Sequence, residues 1–336
     1  MAKNRITIRE IARMANVSTA TVSLVLNNKK GVGEETRSKI LKLMEETNYT
    51  PNQNSRRLFF QKSFTVGVVY SARTSPFENV FFTELARGLF LRARELGYNL
   101  LFSEMDRQER RLPDIVDQND VDGVIFLQDI DWALLLRLNQ LEIPFLVTDA
   151  LTAAPEITTI KTDYHAASCR ALRYLLEKGH REIAFISSEQ IPDYYLQCLS
   201  AYKETFEEQG MFMNSAWIQG GAGNEETGYA CAERILQAET LPTAIFCSAD
   251  IYAIGAIRCL RAHGIRVPQQ ISVIGVDNIL LSTYVEPRLT TVDIDKVRMG
   301  YLAMDLICKK ISGETVDSQT MAPGALVERG SVAEIG

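Results

Sequence analysis

Apolar residues recur every three or four positions through the first fifty residues, which is the spacing of one face of an amphipathic helix. This pattern predicts three short helices, at residues 7–16, 18–26 and 34–47. Thr7 opens the first of them within a T-x-x-E capping box. A polar, glycine-bearing loop at 27–33 separates the second helix from the third.

From Phe64 onward the pattern changes to short apolar runs that alternate with amphipathic helices. Such alternation predicts parallel sheets covered by helices on both faces. The length of the region predicts two such subdomains, so the expected fold is α/β: an all-α headpiece followed by two doubly wound α/β subdomains. The predicted strands are 64–70, 99–102, 123–127, 144–148, 182–187, 243–248 and 271–276, and predicted helices include 79–96, 163–178, 195–209, 226–238, 250–263 and 295–312.

Residues 51–63 lie between these two regions and have a composition of their own. Pro51 ends the preceding helix, and the segment then mixes Asn, Gln, Ser and Arg with the apolar triplet 58–60. A segment of this length is at best marginally helical when isolated. We therefore interpret it as a linker.

Composition excludes several classes of protein. The 336 residues are 46% hydrophobic and 23% charged, which is ordinary for a globular chain. No long apolar run predicts a membrane span, and the N-terminus lacks the features of a signal peptide, so a cytoplasmic location is expected. The six cysteines form no CxxC pair and the three histidines are far apart, so we expect free buried thiols, no metal site and no cofactor.

The net charge of −6 conceals a strong asymmetry along the chain. Residues 1–62 contain 12 Lys or Arg and 5 Asp or Glu, a net charge of +7. The remainder therefore contains 24 basic and 37 acidic residues, a net charge of −13. A basic N-terminal region on an acidic body indicates that the N-terminal region alone meets a polyanion.

Two short helices joined by a tight turn on a basic background fit a helix-turn-helix unit. In that geometry the second helix enters the major groove of DNA, and its early exposed residues meet base edges. Here those residues are Thr19 and Ala20 and, one turn later, Ser23 and Leu24. The alternative is a three-helix packing module that does not bind DNA.

The same stretch resembles the DNA-binding headpiece of the lac repressor (LacI/GalR) family. The matching motifs are I-A-x-x-A-x-V-S-x-x-T-V-S, V-L-N, E-E-T-R and N-Y-x-P-N, over about fifty residues without a gap. The resemblance continues in the body, which looks like the periplasmic-binding-protein-like effector domain of that family. The motifs there are TELARGL (83–89), VDGVIF (121–126), LLEKGHREIAFIS (175–187), GIRVPQQISVIGVDN (264–278) and PRLTTV (287–292).

The resemblance implies a division into domains. It implies a helix-turn-helix headpiece at 1–50 and a hinge at 51–63. The effector core would consist of one subdomain at 64–161 and 291–321 and a second at 162–290 and 322–336. It also implies a homodimer on a pseudo-palindromic operator in double-stranded DNA, with repression as the commoner mode and a small sugar or sugar-like effector between the subdomains.

The resemblance also implies roles for single residues in DNA binding. Leu58 would insert into the minor groove at the operator centre, and the segment 52–59 would be a hinge helix that orders on DNA. An alternative is that Leu58 is the first core residue of the next domain. The base-reading set is Thr19, Ala20 and Leu24, the phosphate set is Ser18, Thr21, Ser23, Asn27, Thr36 and Arg37, and Thr7, Tyr49, Asn52, Ser55 and Arg56 complete the expected DNA-binding residues.

Leu24 departs from the family, many members of which carry Arg at this position. Arg can donate two hydrogen bonds to guanine, whereas Leu cannot. Ala20 is likewise apolar. We therefore expect thymine methyl groups among the outer operator bases, and more specificity from Thr19, from the hinge and from DNA shape.

The predicted effector site also departs from the family. Asp277 follows the strand 271–276 and matches the ligand-binding Asp of the family, at a strand end where ligands bind in such folds. The family's Arg is replaced by Cys198, which is kept among the predicted effector-binding residues; its Asn-Asp pair becomes Ala249-Asp250, and its aromatic residue aligns with Gly223. An ordinary monosaccharide held in the usual way is therefore not expected. Asp250 is expected either to bind the effector or to cap the helix that begins there. Replacement pocket residues would come from Arg73, Phe77, Trp132, Tyr194 and Tyr195.

Three other functions are compatible with parts of the sequence. An enzyme is disfavoured because GGAGNEETG (220–228) matches a dinucleotide-binding motif poorly and no nucleophile motif is present. A periplasmic solute-binding protein would have a signal peptide and no basic headpiece. A regulator whose core senses a protein partner, or no ligand, is a further alternative, because the pocket lacks the Arg, the Asn and the aromatic residue that the family uses to hold a sugar.

Overall fold

The computed structural model describes residues 6–26, 31–47, 62–105, 111–118, 120–128, 131–150, 157–189 and 191–335, without the side chains of residues 73, 117, 132 and 192. The chain divides into two compact units, Met1–Phe64 and Thr65–Gly336.

The described residues of the N-terminal unit form a bundle of three helices, α1 (Ile8–Ala15), α2 (Thr19–Leu26) and α3 (Glu34–Glu46). Its core contains side chains from all three helices, and Ile11 and Ile40 are completely buried there. The bundle forms because each helix is too short to be stable alone and gains stability by burying its apolar face.

The turn between α1 and α2 is held by specific contacts. The Thr7 capping box begins α1, and Asn16 ends it in the left-handed conformation (φ 59°), which Asn tolerates better than most residues. The Lys39 ammonium of α3 donates a hydrogen bond of 3.0 Å to the carbonyl of Ala15 at the end of α1. These contacts fix the angle at which α2 leaves the turn.

Over its described ranges, the second unit contains two six-stranded sheets. The first has the order β11-β5-β4-β3-β1-β2 with every pair parallel, and the second has the order β12-β10-β9-β8-β6-β7 with only β12 antiparallel. The strands are β1 (Thr65–Tyr70), β2 (Asn99–Glu104), β3 (Gly123–Leu127), β4 (Phe145–Thr148), β5 (Thr159–Thr162), β6 (Ile183–Ser188), β7 (Ile218–Gly221), β8 (Ala244–Cys247), β9 (Ser272–Asp277), β10 (Thr290–Asp293), β11 (Gln319–Met321) and β12 (Leu326–Val327).

Helices cover both faces of each sheet, so the predicted pair of doubly wound subdomains is confirmed. Apolar clusters lie on each side of each sheet, as expected for parallel strands that are buried on both faces. The helices of this unit are α4 (Val80–Leu96), α5 (Asp114–Asp117), α6 (Trp132–Gln140), α7 (Tyr164–Glu177), α8 (Pro192–Glu208), α9 (Glu225–Ile235), α10 (Asp250–Ala262) and α11 (Lys296–Ile311). None of the helices within the described ranges is long and apolar enough to cross a membrane.

The chain passes between the sheets three times, after Thr162, after Asp293 and after Met321. The boundaries expected at 161/162 and 290/291 fall inside β5 and β10. The structure places these two crossings later in the chain, after Thr162 and after Asp293. The reason is that β10 pairs with β9 along its whole length, from Thr290 to Asp293, and so belongs entirely to the second sheet.

Candidate functional site

The start of α2 is an exposed surface on a rigid bundle. Ser18, Thr19 and Ala20 are all exposed to solvent, whereas Val22 and Val25 of the same helix are buried in the core. Ser18 accepts a hydrogen bond of 3.0 Å from the Thr21 amide, and so caps the helix. The residues expected to meet bases are thus presented at the N-terminal end of an anchored helix.

Ser23 and Leu24 are less accessible than the sequence suggests. Ser23 is only 8% exposed, and Leu24 and Thr21 are half-buried. The expectation that Ser23 is an exposed residue of α2 is therefore wrong for this structure. The cause is its position beside Val22, which is completely buried where α2 packs into the bundle. Thr19 and Ala20 are left as the most accessible of the predicted base-reading residues.

The remaining expected DNA-binding residues fall into two groups. Thr36 and Arg37, near the start of α3, are half-buried, and Thr7 is exposed but engaged in the capping box with Glu10. The rest lie outside the described residues, so their predicted roles stay predictions: Asn27, Tyr49, Asn52, Ser55, Arg56 and Leu58.

In the second unit, Asp277 lies at the carboxyl end of β9, where the two subdomains meet. The residue is 8% exposed and has a φ of 113°, which only glycine adopts without strain. Burial, together with the carboxylates of Asp250, Asp149 and Glu84, raises the pKa of its carboxyl well above the ordinary value. Among the described residues, no donor forms a hydrogen bond with this carboxylate.

Asp149 and Gln128 follow β4 and β3, at the corresponding edge of the first sheet. Both have left-handed backbone conformations, with φ of 50° and 64°. The Asp149 carboxylate accepts a hydrogen bond of 2.7 Å from the Tyr164 hydroxyl and one of 3.2 Å from the Gln128 amide. Because Tyr164 packs with the second sheet, the bond from its hydroxyl joins the two subdomains.

Lys296, the first residue of α11, is the buried cation of this region, at 2% exposure. Its ammonium donates to the carbonyl oxygens of Asp277 and Ile294 and lies 3.4 Å from the carboxylate of Glu84 in α4. The ammonium is therefore already engaged by both subdomains. It neutralises part of the negative charge at the interface without reaching the Asp277 carboxylate by a hydrogen bond.

Asp250 is completely buried and has a structural role in this structure. Its two carboxylate oxygens accept hydrogen bonds from the Ile279 amide (2.9 Å) and the Thr291 hydroxyl (2.5 Å). Burial raises the pKa of Asp250 to about 7. The predicted helix cap is wrong, because Ala249 occupies the cap position. Asp250 instead joins the segment after β9 to β10, and its complete burial leaves it inaccessible to an effector in this structure.

Cys198 and the neighbouring tyrosines form the apolar side of the region. Cys198 is 1% exposed, and burial raises the pKa of its thiol to about 12, so it is an inert core residue. Tyr194 packs edge-on against Tyr164, with 4.7 Å between ring centroids, and its hydroxyl donates to the Ser248 carbonyl at 2.6 Å. Tyr195 is half-buried, and its ring lies 6.0 Å from that of Phe185 between ring centroids.

The other predicted pocket residues do not join this cluster. Phe77 is 72% exposed and makes edge contacts with Tyr70 and Phe102. Arg73 lies in a short 3-10 helix and Trp132 begins α6, but their side chains lie outside what the structure describes.

Four residues at the subdomain interface were not predicted: Gln128, Asp149, Tyr164 and Lys296. Signals for two of them were present, because Gln128 and Asp149 directly follow predicted strands, as Asp277 does. Applying the strand-end rule to every strand would have found both. Lys296 had no such signal, since its importance comes from a crossover that brings α11 back onto α4.

Comparison with known proteins agrees with both units. Residues 7–52 match the model of bacterial regulatory proteins of the lacI family, and residues 172–332 match that of a periplasmic binding protein-like domain. The chain is 33% identical over 318 residues to catabolite control protein A of Priestia megaterium, covering 93% of this chain and 95% of that protein. It is 34% identical over 320 residues to the probable HTH-type transcriptional repressor ExuR of Bacillus subtilis (strain 168), covering 91% and 92%.

Solved structures show the same fold. The transcriptional regulator CelR in complex with cellobiose is 26% identical, with a TM-score of 0.72, and the match covers 97% of this chain and 100% of that one. The lac repressor dimer bound to operator and the anti-inducer ONPF is 24% identical, with a TM-score of 0.79, covering 98% and 100%. Such relatives are regulators and not enzymes, which agrees with the expectation from sequence. The chain belongs to the LacI family of bacterial regulatory proteins.

Proposed function

We propose that this LacI-family regulator is a repressor that binds a pseudo-palindromic operator as a homodimer and is controlled by a small molecule at the subdomain interface. The observation that carries the DNA-binding part is the exposed start of α2, with Thr19 and Ala20 accessible on a helix whose other face is buried. The net charge of +7 over residues 1–62 supplies attraction to phosphates.

A dimer follows from the small number of base-reading residues. One α2 helix offers three such side chains, Thr19, Ala20 and Leu24, and two of them are apolar. A single copy would therefore read few base pairs. Two copies related by a two-fold axis would read two half-sites about one helical turn apart, which is the reason for expecting a pseudo-palindrome.

The small-molecule part of the proposal rests on the interface around Asp277. Buried carboxyl groups, tyrosine rings and a strained backbone meet there at the carboxyl ends of strands from both sheets. Ligands in doubly wound folds bind at such edges. The structurally similar regulator CelR forms a complex with cellobiose.

A second candidate is a core that senses a protein partner or no ligand. The observation in its favour is that the interface is already occupied by the chain itself. Tyr164 and Tyr194 pack against each other, the charge of Asp277 acts on both, and each is at least nine-tenths buried.

Selection of bound duplexes from a random library, at fixed salt, tests the DNA-binding proposal. A pseudo-palindrome supports it, and binding without sequence preference contradicts it. Repeating the binding with a panel of sugars, glycosides and nucleosides separates the two candidates. Release or tightening by one compound supports a small-molecule sensor, whereas an operator complex indifferent to all of them favours the second candidate.

A further inference from the structure

The subdomain interface presents many hydrogen-bond acceptors and few available donors. The Asp277 carboxylate accepts no hydrogen bond from the described residues, although the residue is more than nine-tenths buried. The nearby Asp149 carboxylate faces it from the other subdomain, close enough for its charge to raise the pKa of Asp277. A buried acceptor without a donor is costly, so the arrangement points to a missing partner.

Gln128 is a second, independent sign of a missing donor. Its side chain is 7% exposed and its amide nitrogen donates to Asp149, which places the amide group at the carboxylates. Its Oε1 atom is buried and has no hydrogen-bond partner among the described residues. Native proteins leave few buried polar atoms unsatisfied, and those that remain often mark functional sites.

The phenolic and ammonium donors that reach the region are already engaged. The Tyr164 hydroxyl donates to Asp149, the Tyr194 hydroxyl donates to the Ser248 carbonyl, and Lys296 donates to two backbone carbonyls. The family's Arg position is occupied by Cys198, which offers only a weak thiol donor. A neutral polyol also needs donors for its several oxygens, and the buried Thr162 hydroxyl beside Tyr164, which has no hydrogen-bond partner among the described residues, can supply a single hydrogen bond.

The charge balance at the interface is negative. Asp277, Asp149, Asp250 and Glu84 are coupled electrostatically. Against these four carboxyl groups, Lys296 acts on both Asp277 and Asp250, and Arg329 acts on Asp250. Two tyrosine rings, Tyr164 and Tyr194, border the same space, and the charge of Asp277 acts on both. Carboxylates beside aromatic rings are the surroundings in which proteins hold organic cations.

We infer that the interface selects a ligand carrying an ammonium or amidinium group, which donates hydrogen bonds to Asp277 and Gln128 Oε1 while its carbon frame packs on Tyr164 and Tyr194. This inference rests on the proposed small-molecule control and narrows it from sugar-like compounds in general to cationic ones. The interface must open to admit such a ligand, because the groups that would hold it are buried in this structure. A cation in place would satisfy the two acceptors that the chain itself leaves without donors.

Matched pairs of compounds that differ in charge test the inference. The full chain, without DNA, is titrated calorimetrically with glucosamine against glucose, and with putrescine against 1,4-butanediol. We expect the amine of at least one pair to bind, and its neutral counterpart to bind at least about tenfold more weakly, which is about 1.4 kcal/mol. Binding by the neutral member that is equal or stronger, or no binding by either amine, overturns the inference.

Two variants test whether the amine binds at this interface, and a third variant serves as the control. Asp277→Asn and Asp149→Asn each keep the shape of the side chain and remove its charge, so each is expected to weaken amine binding at least about tenfold. Asp317→Asn removes one charge from an exposed loop and is expected to leave binding unchanged. Unfolding midpoints show that the variants fold, and amine binding unaffected by both interface substitutions also overturns the inference.

The duplex selection is run separately on the same protein. If a pseudo-palindrome is selected but no amine binds, the cation inference fails and the proposed DNA-binding function stands. If an amine binds in the manner expected but no duplex is selected, the proposed function fails and the ligand class stands.

Discussion

At the scale of single residues, Asp277 combines two costs that folding alone does not explain. Its φ of 113° is strained for a residue with a side chain, and its carboxyl group is buried beside other carboxyl groups. Strain and buried acceptors of this kind persist where the surrounding structure enforces them, commonly at binding sites. The sequence predicted its location from the end of a strand, but could not predict the coupling to Asp149, which comes from the other sheet.

The raised pKa of Asp277 predicts how stability depends on pH. The folded state binds this proton more tightly than the unfolded state, so the contribution to stability is present at low pH and is lost as pH rises above the ordinary Asp value. Asp250, with a pKa of about 7, acts in the same direction up to about pH 7. Thermal unfolding of the wild type is therefore expected to show a lower midpoint near pH 8 than near pH 5 from these two groups.

Asp277→Asn is expected to reduce the loss of stability between pH 5 and pH 8, because an amide does not ionise. The variant should exceed the wild type in unfolding midpoint near pH 8 and differ less near pH 5. Asp317→Asn, in the exposed loop, should follow the wild type at both values. If the unfolding midpoints of the wild type and of Asp277→Asn changed with pH by the same amount, the Asp277 carboxyl could not be a buried, unpaired group.

Leu24 offers a prediction about DNA reading at the same scale. Leu24→Arg is expected to introduce a preference for guanine opposite this position, worth about 1–3 kcal/mol, because Arg donates two hydrogen bonds to guanine. Leu41→Arg adds the same charge at an exposed position of α3 and should raise affinity without changing base preference. Duplex selection with both variants makes the comparison, and an unchanged consensus for Leu24→Arg would remove Leu24 from the base-reading set.

At the scale of elements, two helices pack closely enough to require glycine. A Cβ added at Gly88 in α4 would lie 2.0 Å from the Val297 carbonyl, and one at Gly300 in α11 would lie 2.0 Å from the Leu85 carbonyl. The contact is backbone to backbone and cannot be relieved by a side-chain rotation. This packing brings the Lys296 end of α11 to Glu84 of α4, and so helps to build the interface.

Gly88→Ala is therefore expected to destabilise the core by about 1–3 kcal/mol or more, since a methyl group must force the helices apart. Gly330→Ala is the matched control, because its added methyl group would have its nearest contact at 3.6 Å. Denaturant unfolding measures both. A Gly88→Ala variant as stable as Gly330→Ala would show that α4 and α11 pack less closely than described.

The sequence predicted elements better than contacts between them. The three headpiece helices and the alternating strands followed from apolar spacing, because periodicity is a local property. The cap position of α10, the burial of Ser23 and the full length of β10 depend on partners distant in the chain. For the same reason Asp277 could be located from sequence, whereas Tyr164 and Lys296 required the structure.

At the scale of the whole molecule, charge is divided between the parts of the chain. The basic N-terminal region attracts DNA, while the net charge of −13 over the rest is repelled by phosphates. Affinity is expected to fall steeply with salt, by about 10³–10⁵ between about 50 and about 200 mM if each dimer makes about six to ten phosphate contacts. Titrations at several salt concentrations give the slope, and a slope near zero would rule out phosphate-driven binding.

The central claim is that the chain reads DNA sequence through the exposed start of α2. The most direct test is the ratio of affinities for the selected duplex and a scrambled duplex of the same composition, at one salt concentration, for the wild type and for Thr19→Ala. We expect a ratio of at least about 10³ for the wild type. For Thr19→Ala we expect the free-energy difference between the two duplexes to be smaller by about 1–3 kcal/mol, as for one mismatched contact. A wild-type ratio near one would show that the chain does not read sequence.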